Sequence, residues 1–370
     1  MAQLNIAGMD GEVALSALEQ HCAEHGVSDI HVTPEKKDVR IEVRLHGILE
    51  PIGNMPYAEY EKFMRRVKFV AKLKLNITNV PQDGQYTFSA GDAQAKRTVN
   101  VRVATLPTRF GETVTLRLLD PQRGIVPLQE LGFPPDIEKA LHDLVKLPNG
   151  LLLVTGPTGS GKTTTLYALL STLIGTARNI VTLEDPIEYE IPGIVQSQVD
   201  PDHGFTFASG LRSVLRHDPN VILVGEIRDL ETAQTAVDAA LTGHLVLSTL
   251  HTNSAIEAIP RLLSMGVSPF TFAPALRAVV AQRLVRTLKA EYKPPASCDP
   301  TSSDSYGGRV VLPELLMVTQ SVRDCILNQE QESVLMTEAR KGGYLPMREW
   351  GERLWKGGVT TREEIERVAM

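Results

Sequence analysis

The sequence predicts an α/β protein of two units, the larger carrying a parallel sheet covered by helices on both faces. Three observations predict it. The continuous apolar runs Leu151–Val154, Asn179–Leu183, Val221–Val224 and Leu245–Leu250 alternate with helical segments, as strands buried on both faces do. Upstream, Val39, Ile41, Val43 and Leu45 alternate with Arg40, Glu42, Arg44 and His46, the period of a half-buried strand. Between these regions, residues 120–135 hold Pro121, Gly124, Pro127, Gly132, Pro134 and Pro135, a concentration of breakers that reads as a linker. The expected boundaries are therefore 1–119 for a smaller N-terminal α/β domain, 120–135 for the linker, and 136–370 for the larger domain with a C-terminal helical segment.

The elements follow in order. Val13, Leu15, Leu18 and Cys22 give residues 11–25 a helical rhythm, stopped by Gly26. Tyr57–Leu75 reads as a basic amphipathic helix with Tyr60, Phe63, Val67 and Val70 on one side. Its Lys62, Arg65, Arg66, Lys68, Lys72 and Lys74 are expected on a solvated face balanced by Glu59 and Glu61; the alternative is a surface for an acidic partner or an anionic membrane. Val99/Val101/Val103 and Val114/Leu116/Leu118 form two further alternating strands. Past the larger domain's strands, Ala290–Gly308 reads as an exposed loop, and Val310–Val318 as a last strand before helices to the end.

Composition narrows the class. The 370 residues are 42% hydrophobic and 22% charged, ordinary for a globular protein. The net charge of −6 and a pI near 5.9 speak against nucleic acid as the main partner. Cys22, Cys298 and Cys325 are too sparse for a disulfide framework or metal knuckle and suit a reducing cytosol. No apolar stretch approaches the roughly 18 residues of a membrane span, and Met1–Asp10 lacks the regions of a signal peptide.

Residues 156–163 read Gly-Pro-Thr-Gly-Ser-Gly-Lys-Thr, matching G-x-x-x-x-G-K-[ST] between a strand and a helix. Gly156, Gly159 and Gly161 let the backbone curl so that successive N–H groups of the Gly156–Thr164 stretch, those of Thr158, Ser160 and Thr164 included, face phosphate oxygens; Pro157 belongs to the loop but has no N–H to donate. The helix N-terminus adds partial positive charge. Lys162 reaches the outer phosphates and the Thr163 hydroxyl can ligate Mg²⁺. Glu226 ends the buried run Val221–Val224, where ligands of open parallel sheets bind, and is a candidate water-activating base. Glu184, Asp185 and Glu188, interrupted by Pro186, form a candidate acidic rim near the metal. His244 and His251 bracket the run Leu245–Leu250. Taken singly, each reads as a structural histidine.

These boxes, with Gly204–Phe207, Leu211–Ser213, Val221–Asp229, Thr242–His244, His251–Asn253 and Ala281–Arg286, occur in a fixed order. With Ser28–His31, Gln82–Gly84 and Thr105–Thr108 upstream, the chain resembles the secretion ATPases of type II secretion and type IV pilus assembly (GspE/PilB-like) from about Ser28 to Arg286. The resemblance implies a RecA-like ATPase domain behind a PAS-like N-terminal domain, assembled as a homohexamer. It implies ATP and Mg²⁺, with Thr163, Glu184 and Glu226 near the metal, Glu226 polarising water, and Glu188 assisting. His244 and His251 would sense the γ-phosphate, and Arg102 and Arg117 would reach a neighbouring subunit's nucleotide. It further implies an inner-membrane platform protein as partner, pilin or pseudopilin machinery served indirectly, and a cytoplasmic location peripheral to that membrane. Two departures from the family pattern stand out. The region after Ala281–Arg286 holds only Cys298 where many relatives carry two cysteine pairs, so no zinc is expected; and a longer N-terminal region is expected to be missing. Assembly is favoured over pilus retraction; a competence-type pseudopilus motor, a type IV secretion traffic ATPase, a DNA translocase and a nucleotide-binding scaffold are the alternatives.

Overall fold

A computed structural model describes residues 6, 8–91, 96–292 and 305–369, the side chains of residues 122 and 123 excepted. The chain divides into two compact units, Met1–Gly124 with Asp299–Gly307, and Ile125–Cys298 with Gly308–Met370.

The first unit orders as α1 (Gly11–His25), β1 (Asp29–Pro34), β2 (Val39–Leu45), β3 (Ile48–Met55), α2 (Tyr57–Val70), β4 (Gln82–Ala90), β5 (Arg97–Thr108), β6 (Gly111–Leu119) and α3 (Pro121–Gly124). Its six strands form one antiparallel sheet in the order β3-β2-β1-β6-β5-β4. The alternation seen in the sequence does this. Ile30, Val32, Ile41, Val43, Val101 and Leu116 share one buried face with Leu18 and Cys22 of α1 and Phe63 and Val67 of α2. The opposite face is polar. Gly26 closes α1 at φ 76°, a conformation open to glycine.

Three expectations change here. Val13 is exposed, outside the apolar face of α1. The second helix ends at Val70, not Leu75, because the chain leaves it through Lys72 at φ 57°. Lys68 does not belong to a solvated basic face: it is buried, donating to Glu112 Oε2 and to the Ile77 carbonyl, each at 2.6 Å.

The second unit orders as α4 (Pro135–Val145), β7 (Gly150–Thr155), α5 (Lys162–Ser171), β8 (Ile180–Glu184), β9 (Val195–Gln198), α6 (Phe207–Val214), β10 (Val221–Val224), α7 (Leu230–Leu241), β11 (Leu245–Leu250), α8 (Ala258–Ser264), α9 (Pro269–Ala275), β12 (Leu276–Leu288), β13 (Tyr306–Met317), α10 (Gln320–Leu327), α11 (Glu332–Lys341), α12 (Met347–Lys356) and α13 (Arg362–Ala369). The sheet order is β13-β12-β7-β11-β10-β8-β9, and β12, β7, β11, β10, β8 and β9 pair in parallel. β7, β8, β10 and β11 are buried throughout, the reason their sequences lack alternation.

The breaker-rich segment is packed rather than a free tether, since Leu128 and Phe133 lie in the second unit's core. Residues 293–304 of the expected exposed loop, Cys298 among them, lie outside the described residues. β12 was visible in the sequence only as the motif Ala281–Arg286, because the Ala- and Arg-rich stretch Leu276–Leu288 has neither a clean apolar run nor alternation.

Candidate functional site

Parallel strands place their carboxyl ends along one edge of a sheet, and the register here aligns them. Thr155 pairs with Leu250 and Ala281, and Val224 with Leu183 and Ser248. The phosphate loop after β7, Glu184 closing β8, Glu226 after β10, His251 after β11 and Gln282 on β12 therefore share that edge.

The loop is built for close backbone approach. Gly156 sits at φ 146°, and a Cβ there would lie 2.5 Å from the Gln282 carbonyl oxygen and 2.6 Å from Ser160 Oγ. Gly159 and Gly161 take φ of 80° and 88°. Gly161 is also the N-cap of α5, which has no side-chain cap and no acidic residue in its first turn. The leading N–H groups of a ten-residue helix thus face the loop without a protein acceptor from a cap. Lys162 Nζ donates to the Gly156 and Pro157 carbonyls at 2.8 and 3.1 Å. Burial lowers its pKa, opposed by the Glu226 charge and reinforced by Arg283. Pro157, Thr158, Gly159 and Thr163 are exposed, Thr164 is half-buried and Ser160 is buried. Uncapped amides, a lysine resting on neutral carbonyls and space above Gly159 fit a phosphate chain.

Glu226 is held from both sides. Its Oε1 pairs with Arg228 at 2.6 Å and its Oε2 lies 3.2 Å from His251 Nε2. The turn that carries it is pinned to β11: Ile227 N–H donates to the Thr249 carbonyl at 3.0 Å, and the Thr249 hydroxyl donates to the Gly225 carbonyl at 2.8 Å. The Thr155 hydroxyl accepts from Thr252 N–H at 2.8 Å, tying the chain after His251 to the strand that feeds the phosphate loop.

Glu184 differs from the expected acidic rim. It is the buried last residue of β8; Oε1 accepts from Thr182 Oγ1 at 2.6 Å and from Gln196 Nε2 at 3.1 Å, and Oε2 accepts from Tyr167. With its oxygens engaged inside the protein, it suits positioning rather than direct metal ligation. Glu188 is half-buried in the connection between β8 and β9. His244 also departs from expectation. It precedes β11; its carbonyl oxygen accepts from Gly150 N–H at 3.1 Å at the start of β7, and its Nδ1 lies 2.9 Å from the Ala239 carbonyl. That is the amino edge, about 20 Å from His251 at roughly 3.3 Å per strand residue, so it is not part of the phosphate-loop cluster. Arg102 and Arg117 are cross-strand partners on the polar face of the first unit's sheet. Arg117 Nε pairs with Asp29 at 2.8 Å.

Residue-by-residue reading missed Thr155, Gln282, Arg283 and Glu314. Gln282 is fully buried and donates from Nε2 to the Ser160 carbonyl at 2.8 Å. Glu314 of β13 accepts from Ala255 N–H at 3.0 Å, Tyr344 OH at 3.0 Å and Met347 N–H at 2.7 Å. Gln282 and Arg283 fall inside the motif Ala281–Arg286, which assigned them no role, and no motif marks Thr155 or Glu314; their roles arise from strand neighbours far apart in sequence. Among the described residues no group of three His, Cys, Asp or Glu is arranged to hold a metal by itself, and no helix is long and apolar enough to cross a membrane.

The chain is similar to known proteins. The chain is 43% identical over 361 residues to the Type II secretion system protein HxcR of Pseudomonas aeruginosa, covering 96% of this chain and 76% of the relative. It is 39% identical over 364 residues to the type IV pilus assembly ATPase PilB of Thermus thermophilus, covering 91% and 40%. The crystal structure of the pilus retraction motor PilT with bound ADP superposes with a TM-score of 0.67 at 30% identity, covering 95% of each chain. The model of the family described as Type II/IV secretion system protein matches residues 12–367. With the loop, the Glu226–His251 pair and the parallel edge all inside that span, the chain belongs to the Type II/IV secretion system protein family.

Proposed function

We propose that this protein is an ATPase motor that powers assembly of a type IV pilus or of a type II secretion pseudopilus. The observation that carries this reading is Glu226, clamped between Arg228 and His251 on the same sheet edge as the uncapped phosphate loop. ATP and Mg²⁺, when bound, supply the phosphoryl group to be transferred and neutralise its charge. Toward them, the amides of 156–164 and Lys162 bind the phosphate chain, and the exposed Thr163 hydroxyl and the Glu226 carboxylate form the metal-side donor set. Glu226 orients and deprotonates the attacking water, with His251 fixing the orientation of its carboxylate. Glu184 keeps the end of β8 in register through Tyr167, Thr182 and Gln196, and Glu188 lies beyond it on the same side.

The motor works as a homohexamer on the cytoplasmic side of the inner membrane, peripheral to it through a platform protein, and reaches the pilin or pseudopilin machinery only through that partner. Arg102 and Arg117 reach a neighbouring subunit's nucleotide, where a cation supplied in trans is worth about 10³–10⁵ in rate. Two relatives support the assembly role through their names, the HxcR secretion protein and the PilB assembly ATPase. The likeness to PilT favours retraction as the second reading. Deletion of the gene separates them: loss of pili follows loss of an assembly motor, and excess pili follow loss of a retraction motor.

The decisive measurement is the Mg²⁺-ATPase rate against protein concentration, with mass by light scattering. Turnover rising with a six-subunit mass is expected, and Glu226→Gln should lower it by about 10²-fold or more while nucleotide binding persists. Turnover by a monomer that survives Glu226→Gln would sink both the catalytic assignment and the intersubunit mechanism.

A further inference from the structure

The strand that backs the phosphate loop carries a second cation, outside the loop motif. Arg283 follows Gln282 on β12, whose carbonyl makes the close approach to Gly156. Its Nη1 donates to the Gln282 carbonyl at 3.2 Å, and its Nη2 donates to the Asn253 carbonyl and Oδ1 at 3.1 and 3.3 Å. Every acceptor is a neutral amide oxygen. Lys162 is satisfied in the same way, by two loop carbonyls. Among the described residues neither cation has a carboxylate within ion-pair distance, although acids abound nearby on the chain: Glu226 is committed to Arg228 and His251, and Glu314 to three neutral donors.

Two half-buried cations without counter-charges are costly in isolation. Set together at the carboxyl edge of a parallel sheet, beside uncapped helix amides, they make a field that selects an anion of more than one charge. Arg283 adds what Lys162 lacks: a planar fork able to grip two phosphate oxygens at once. Burial pushes its guanidinium below the ordinary arginine range, with Glu314 and Glu257 opposing, and its charge acts on Lys162; the two cations therefore feel each other.

We propose that Arg283 is a second phosphate-binding residue of this site, contacting the outer phosphates of the nucleotide from the same chain as Lys162. The inference rests on the nucleotide-site reading above. Arg283 also holds Asn253, two residues past His251, so phosphate engaged by its fork would be felt by the chain segment that carries the Glu226 partner.

The test is nucleotide binding rather than turnover. ATP, ADP and inorganic tripolyphosphate are titrated by calorimetry against the full chain and its Arg283→Gln, Arg283→Lys, Asn253→Ala and Lys162→Ala variants. Arg283→Gln is expected to weaken ATP and tripolyphosphate binding about tenfold or more, the scale of a lost charge-assisted hydrogen bond, with Asn253→Ala much milder. Arg283→Lys is expected to retain part of the affinity. Equal, small effects of Arg283→Gln and Asn253→Ala would reduce Arg283 to a brace for the 251–253 segment and overturn the proposal. Should Arg283→Gln fail to fold, Arg283→Lys decides: weakened tripolyphosphate binding supports the proposal and wild-type binding overturns it. Lys162→Ala separates the two levels. If it abolishes binding while Arg283→Gln leaves it intact, only this inference fails; if Lys162→Ala binds normally, the nucleotide-site reading itself fails.

Discussion

Glu19 shows how one buried carboxyl makes a unit pH-sensitive. It lies on α1, accepts a hydrogen bond from Tyr86 OH at 2.6 Å, and burial raises its pKa to about 7, with the Tyr86 bond and the Arg66 charge opposing. Its folded value exceeds its unfolded one, so the native state holds the proton more tightly. Stability is therefore present at low pH and lost as pH rises from about 4.5 through about 7. Glu19→Gln should stabilise the first unit at pH 8, by at most about 3 kcal/mol from a shift of this size, and do little at pH 4. Urea denaturation at the two pH values checks this; equal gains at both would contradict it. At this scale the sequence is most readable where a motif forces geometry. Gly156–Thr163 and Glu226 stand where their spacing implies, because a strand end followed by a turn leaves few alternatives. Glu184 was misread as a rim because its strand runs one residue further than the apolar run suggests, which buries the carboxylate. His244 was misplaced for a related reason: a histidine at each end of a strand looks symmetric in sequence, whereas the two ends of a parallel strand serve opposite edges.

Elements locate these residues through contacts that sequence patterns do not encode. The phosphate loop is shaped from behind by β12, and Gly156 is where the two backbones nearly touch. Gly156→Ala should abolish nucleotide binding, since its φ of 146° alone costs about 1–3 kcal/mol for a residue with Cβ and the added carbon collides with backbone that cannot swing aside. Calorimetry with ATP tests it, and retained affinity would show that the loop reshapes freely. In the first unit, α2 is fixed by the buried Lys68–Glu112 pair, with Tyr60 OH donating to the Glu112 carbonyl. Lys68→Ala leaves Glu112 uncompensated and should cost about 3–5 kcal/mol, measured as a lowered urea midpoint of that unit's transition; a shift within error would mean that water reaches Glu112. The alternating strands and the continuous apolar runs were legible because burial on one face or two leaves a periodic signature. β12 and β9 were not, since a strand rich in Arg and Gln shows no period, and neither was the C-terminal end of α2, set by Lys72 at positive φ.

At the scale of the molecule, the α/β class follows from composition and period, whereas the ties that close the second unit do not. Arg286 of β12 donates to Glu364 of α13 at 2.9 Å with both side chains buried, joining positions 78 residues apart. Glu314 joins three more pieces: β13, the start of α12 at Met347, and Ala255 beyond the Thr252 turn. Mechanically this carboxylate is a rivet, since any shift of the 251–255 segment must drag α12 or break hydrogen bonds to a buried charge, each worth about 1.5–3 kcal/mol. The chain's two tryptophans, Trp350 and Trp355, both stand on α12, one stacked under Arg353 with its Cζ 4.6 Å from the ring centroid. The molecule thus carries its own optical gauge. Saturating ATP should shift tryptophan emission, Glu314→Gln should blunt that shift without removing binding, and an emission spectrum indifferent to nucleotide would mean that the rivet is slack. Turnover in such a machine could be followed in real time by the colour of its own light, with no label attached.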